Sequence, residues 1–416
     1  MKLLLPIFLT LFSLQACAVP QAPPDSLARR QTSADLIQSL SGEILTGAAQ
    51  TERYLPILEG KRIGMVVNPT SVIGNVTVVD SLLRLGVSIQ KIFGPEHGFR
   101  GNASAGIKVE DAVDAQTGIR VVSLYGKHEA PSAEDLQDID LMVFDIQDVG
   151  VRFYTYINTL QHVMEACAAN NKPLVILDRP NPNGFYVDGP VLDPKLTSGL
   201  GLQAIPVVHG LTIAEYAQML NGEGWLAGHA KCEISIIKVA NYTHDMPYDL
   251  PVKPSPNLNT QQSVLLYPAL CLFEGTYISQ GRGTLFPFTV LGAPELKGKY
   301  TFSFVPRSIK GMAETPLHQD KRCYGLDLGN YDISNIRKEK TLNIKWMIEL
   351  YRAYPGKADF FNTRLSKQMG SIDKLAGVAS FKQQLIAGAS EEQIRASWEP
   401  GLSRYKEIRK KYLLYP

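Results

Sequence analysis

Nine residues at 93–101, FGPEHGFRG, gather a carboxylate, an imidazole, a guanidinium and three glycines directly after an apolar run. Partial desolvation raises the pKa of a carboxylate and suits it to general-acid work, which makes Glu96 the first catalytic candidate. His97 and Arg100 are its supporting groups, and a structural pairing of Glu96 with Arg100 is the competing reading. A second segment at 144–156, FDIQDVGVRFYTY, adds Asp145, Asp148, Arg152 and Tyr154. Carboxylates from two such segments facing one cleft form a glycosidase-like set, in which an acid and a nucleophile or base flank one bond. A structural Asp–Arg pair accounts for the same residues without chemistry.

Later segments extend the set. In RPNPNG at 179–184 the prolines make a rigid turn, and Asn181 and Asn183 can bond sugar hydroxyls or loop backbone. Asn257 in PSPN at 254–257 has the same character. Glu274 is a third carboxylate, and Arg282, between two glycines, has the geometry to clamp a substrate carboxylate with two parallel hydrogen bonds. His97, His128 and His209 fall on separate segments without HxH or HxxxH spacing, so they read as hydrogen-bonding groups and no metal is expected. Neither GxGxxG nor GxxxxGK[ST] occurs, so no nucleotide cofactor is expected, and a GxSxG elbow is missing as well. A net charge of +2 gives no electrostatic case for nucleic acid.

The elements that must position these groups are legible in outline. A chain of 416 residues suits two domains of ordinary size. Short apolar runs at 62–67, 87–93, 120–124, 141–145 and 173–178 predict strands. Helical patterns fall between them at 77–85, 132–137 and 156–170, the second with Ser132 as cap and Asp135 three residues on. Nearly all-apolar strands alternating with helices predict an α/β fold, a parallel sheet covered on both faces. Ligands bind beyond the carboxyl ends of such strands, where every polar cluster up to residue 184 lies. After 190 the texture changes. A helix at 212–221, a strand at 234–239, a Pro/Asn loop at 246–259 and a turn-rich stretch at 267–292 come first. Strands at 300–305 and 325–328, a helix at 340–354 and helical segments at 381–387, 390–397 and 398–412 follow. The expected division is a catalytic α/β domain at 44–190 and a smaller α+β domain at 191–416, with the cleft between them.

The N-terminus reads as a targeting segment: Lys2, an apolar run at 3–14, then small residues at 16–18. The run is too short for a bilayer span, which needs about 20 residues. Leu14-Gln15-Ala16-Cys17 resembles a bacterial lipoprotein box with Cys17 as the lipidated residue, while Ala16-Cys17-Ala18 also fits an ordinary signal peptidase site. Residues 1–17 are then the signal and 18–43 a polar spacer. Membrane association is expected only through that lipid. The other four cysteines are widely spaced and read as buried free thiols.

Eight ordered motifs carry a resemblance: GPEHGFRG, SLYG at 123–126, FDIQDVGVRFYTY, LDRPNPNG, DGP at 188–190, HGLT at 209–212, PSPN, and LFEGT at 272–276 with GRGT at 281–284. Together they resemble the NamZ-type exo-β-N-acetylmuramidase family from about residue 44 to the C-terminus. The resemblance implies a Rossmann-like α/β domain joined to a smaller second domain, no cofactor, and removal of N-acetylmuramic acid from the non-reducing end of peptidoglycan fragments. It implies that Glu96 is the catalytic carboxylate and that muramyl glycans are the partners; the residues themselves offer Asp145 or Asp148 to assist it. The lactyl carboxylate of muramic acid would fall to Arg152, Arg282 or His97. Tyr125 and Tyr154 would stack on sugar faces, and His209 would lie at the site. A non-catalytic wall-binding lipoprotein and a metal-dependent amidase or esterase are the alternative readings.

Overall fold

The computed structural model describes residues 42–96, 98–100, 111–126, 128–361 and 371–416. His97 and Cys17, with the signal and spacer up to residue 41, lie outside them. Seven strands form the central sheet: β1 (Ile63–Val67), β2 (Ile89–Gly94), β3 (Ala112–Val113), β4 (Arg120–Ser123), β5 (Leu141–Asp145), β6 (Leu174–Leu177) and β7 (Ile234–Ile237). Their order is β7-β6-β5-β1-β2-β4-β3. All neighbours are parallel except the short edge strand β3, which runs against β4.

Alternation along each strand splits the core into two layers. Val66, Phe93, Phe144 and Ile176 face one side, onto the helices Tyr156–Ala169 and Ile213–Gly222. Met65, Val67, Ile92, Val143 and Val175 face the other, with Tyr54, Leu58, Val79 and Leu82 of the helices Thr51–Leu58 and Val78–Arg84. Burial on both faces is why these strands are continuous apolar runs. Ser132 and Thr212 each head a helix through a reciprocal capping box, with Asp135 and Glu215.

The smaller α+β part contains an antiparallel sheet of Val290–Ala293, Cys323–Asp327 and Phe302–Phe304, in that spatial order, with helices around it. The central sheet takes β7 from beyond residue 190, and Ile44–Pro416 form one compact unit. Three sequence expectations change. The turn-rich region begins with a helix, Gln261–Leu270, whose Pro268 lies near its C-terminal end. The helix expected at 340–354 begins only at Lys345 and runs to Ala353, and a separate helix, Ser334–Glu339, precedes it and ends where Lys340 turns into the left-handed region at φ +50°. The last two segments are one helix, Glu391–Lys410, running through Pro400. Its buried Ile394, Trp398, Leu402 and Tyr405 outweigh the lost backbone hydrogen bond. Cys167, Cys232, Cys271 and Cys323 are free and buried. Among the described residues, no helix is long and apolar enough to cross a membrane.

Candidate active site

Strand β2 delivers Glu96. After Gly94 the chain turns sharply, with the Gly98 N–H donating to the Pro95 carbonyl at 2.9 Å. Gly98 takes φ +71°, which favours glycine at that position. The turn projects Glu96 out of the sheet, half-buried, beside the end of β4. There the Tyr125 hydroxyl hydrogen-bonds the Glu96 carboxylate. Burial, then the charge of Glu96 and that hydrogen bond, push the Tyr125 phenol up to about 12. Tyr156 Oη donates to the Glu96 main-chain carbonyl at 3.5 Å.

Glu96 lines two cavities at once. The wider, about 400 Å³, is bounded by Leu124 and Tyr125 at the end of β4 and by the start of the helix Tyr156–Ala169. That helix presents Asn158, Thr159 and His162; the loop around Ser198–Leu202 and Lys374 complete the wall. Asn158 Nδ2 donates to the Gly199 carbonyl at 2.8 Å, and its buried Oδ1 has no partner among the described residues. The narrower cavity, about 50 Å³, is aromatic: Phe153, Tyr154, Tyr156, Tyr267 and Phe288 surround it, and Arg282 supplies its cation. Tyr154 Oη donates to the Pro254 carbonyl at 2.7 Å, joining the 144–156 segment to PSPN. Arg282 donates from Nε to Glu274 Oε1 at 2.7 Å and lies 5.0 Å from the Phe288 ring centre. Glu96, Tyr125, Tyr154, Glu274 and Arg282 are therefore gathered around one locus, where the two parts of the chain meet.

The other candidates are held elsewhere. Asp145 pairs with Val67 inside the sheet, and Arg179 grips both its oxygens, from Nε at 2.5 Å and from Nη2 at 2.9 Å. Asp148 is buried; Oδ2 accepts from the Gly150 N–H at 2.6 Å and stands 3.4 Å from His209 Nε2. Neither Asp145 nor Asp148 lines a cavity with Glu96. His209 accepts the Leu211 N–H on Nδ1, which places its proton on Nε2, toward Asp148. Arg152 is fully buried and spends its guanidinium on three carbonyls: Pro190 at 3.2 Å, Ile205 at 2.9 Å and Leu375 at 2.7 Å. Asn181 and Asn183 bond backbone carbonyls, of Leu211 and Val149 in loops and of Val264 in the helix Gln261–Leu270, a structural role rather than the sugar role. Asn257 donates to the Met312 carbonyl at 2.8 Å. Arg100 is taken up by Asp114 at 2.6 Å and Asp80 at 3.2 Å.

Sequence reasoning passed over Asn158, Thr159, His162, Glu129 and Lys374. The first three carried a signal, polar side chains opening a largely apolar helix directly after a strand-end motif. Lys374 carried none. Among the described residues, no three His, Cys, Asp or Glu side chains gather as a metal site.

Comparison with known proteins accounts for this arrangement. Residues 63–262 match the model of the exo-β-N-acetylmuramidase NamZ N-terminal domain, and residues 265–415 match that of its C-terminal domain. The peptidoglycan β-N-acetylmuramidase NamZ of Bacillus subtilis (strain 168) is 39% identical over 380 residues, which is 87% of this chain and 89% of that protein. A crystal structure of a DUF1343 family protein from Bacteroides fragilis NCTC 9343 superposes with a TM-score of 0.82 at 41% identity, covering 90% of this chain and 99% of that one. A second DUF1343 protein from the same organism gives 0.73 at 28% identity, covering 90% and 100%. The chain belongs to the NamZ family of exo-β-N-acetylmuramidases.

Proposed function

We propose that this chain cleaves a terminal N-acetylmuramic acid from the non-reducing end of peptidoglycan fragments, with Glu96 as general acid. The observation that carries the reading is the position of Glu96, at the junction of the two cavities and hydrogen-bonded by Tyr125. A volume near 400 Å³ is at the small end of ligand pockets and suits one N-acylated sugar rather than a glycan chain. Glu96 protonates the glycosidic oxygen as the bond to C1 breaks, and the shortened glycan leaves with that proton. Asp145 is gripped by Arg179, Asp148 is buried against Gly150 and His209, Glu274 is held by Arg282, and Glu129, the other carboxylate lining the wider cavity, is exposed to solvent and stands 3.9 Å from His162 Nδ1. That favours attack on C1 by the substrate's own 2-acetamido oxygen over attack by a protein carboxylate. Water then opens the resulting ring, and the sugar is released with its configuration retained. Export with lipid on Cys17 would place the enzyme where wall fragments occur; the box at residues 14–17 supports it.

The test is hydrolysis of a chromogenic β-N-acetylmuramide by the wild type and by Glu96→Gln, with NMR of the first anomer released. We expect β-anomer from the wild type and loss of turnover by at least about 10²-fold in the variant. Undiminished turnover by Glu96→Gln sinks the assignment of the acid. An α-anomer as first product sinks the acetamido step alone.

A further inference from the structure

We infer that Lys374 reads the lactyl carboxylate that distinguishes muramic acid from glucosamine, and that buried Arg152 holds Lys374 in position. The inference rests on the muramidase reading and adds the group that selects the substrate. The wide cavity borders Glu96, and among its described lining residues Lys374 is the one lysine or arginine. Its side chain is exposed; its main-chain N–H donates to Ser371, to the carbonyl at 3.1 Å and to Oγ at 3.4 Å, and its ammonium makes no hydrogen bond or ion pair among the described residues. The other cations suited to a carboxylate are placed differently. Arg282 is held by Glu274 in a side cavity of about 50 Å³, and Arg152 is enclosed by carbonyls.

Lys374 sits on a helix of five residues, Ile372–Ala376, too short to persist without tertiary support. That support is specific. Arg152 Nη2 donates to the Leu375 carbonyl at 2.7 Å, one residue from Lys374. The Asp193 N–H donates to the Gly377 carbonyl at 2.8 Å, where Gly377 closes the helix at φ +84°. At the other end Gly275 lies so close that a Cβ there would stand 2.4 Å from the Ile372 nitrogen. A guanidinium buried without a carboxylate costs several kcal/mol. Here it ties the segment after β5, whose next residues Phe153, Tyr154 and Thr155 line the cavities, to the helix that presents the ammonium. Arg152 is thus a positioning residue, while Lys374 faces the ligand.

The experiment compares kcat/KM for an aryl β-N-acetylmuramide, its lactyl methyl ester and an aryl β-N-acetylglucosaminide. Inhibition by free N-acetylmuramic acid and by free N-acetylglucosamine is measured alongside. Lys374→Gln is expected to lower muramide turnover roughly tenfold to a hundredfold, the scale of one charge-assisted contact. Ester and glucosaminide should be unaffected, and Lys374→Arg should restore most of the preference. In the wild type the ester should show the same loss as the variant shows on the acid. N-Acetylmuramic acid should inhibit the wild type more strongly than N-acetylglucosamine, and Lys374→Gln should erase that difference. Equal loss on all three substrates, or an unchanged muramide rate, overturns the inference. A wild type that turns over none of the three refutes the muramidase reading instead, before any variant is compared.

Discussion

Replacing Arg152 by methionine tests the clamp directly. The change keeps most of the aliphatic stem, against which Gly201 packs closely, and deletes the guanidinium that serves the Pro190, Ile205 and Leu375 carbonyls. Burial pushes this guanidinium down to about 9, so it stays cationic at neutral pH and all three bonds are charge-assisted. The Ile205 carbonyl keeps the Leu192 N–H at 3.1 Å, while the Pro190 and Leu375 carbonyls lose this donor at a cost of about 1–3 kcal/mol each. Relief from burying an uncompensated charge returns several kcal/mol of that. The difference is a net destabilisation of about 1–2 kcal/mol, which for a chain of 416 residues lowers the melting temperature by roughly 1–2 °C. Denaturant titration and thermal melts measure it. The muramide-to-glucosaminide ratio supplies the second readout: it should fall toward that of Lys374→Gln, which a loss of stability alone would not produce below the melting range. Equal or greater stability for Arg152→Met, with an unchanged ratio, would refute the reasoning, because desolvation would then cancel the hydrogen bonds and the helix at 372–376 would be held without them.

Two further outcomes are expected. Asp178 is fully buried, and burial pushes its carboxyl up to about 6, against hydrogen bonds from Tyr415, Thr212 and Ala214. The folded state therefore keeps this proton longer than an unfolded Asp near about 3.9, so stability is gained below that value and lost as pH rises through about 6. The loss amounts to about 3 kcal/mol at most. Asp178→Asn should flatten the stability curve between pH 4 and about 7, and denaturant titrations showing parallel curves for both proteins would contradict it. For Cys17→Ser, retention of the protein in the membrane fraction of the native host, at the wild-type level, would refute lipid anchoring; release to the soluble fraction is expected.

Which parts of this molecule are legible in its sequence depends on how far away each group finds its partner. The strands are readable because burial on both faces leaves no polar alternation to confuse the run, as in Leu141–Asp145. Ser132 and Thr212 are readable as caps because their partners stand three residues on. Asp145 and Arg152 were not readable in the same way. A carboxylate that ends a strand looks the same whether it faces a cleft or a neighbouring loop, and the arginine that decides the matter is 34 residues away. The carbonyl that explains Arg152 is 223 residues away. Glu96 escapes this difficulty because its turn and its neighbour Tyr125 lie at two adjacent strand ends, so local chemistry and sheet topology point the same way. Lys374 is the opposite case. It belongs to no motif, and a surface lysine on a short helix is ordinary until the cavity it borders and the clamp beneath it are seen together. Polar residues that conspicuously follow strands are therefore divided by the fold into those that bond the chain and those left facing a ligand. The motif arginine Arg152 falls into the first group, and the carboxylate contact we propose passes instead to Lys374, a cation on a helix that follows no strand among the described residues.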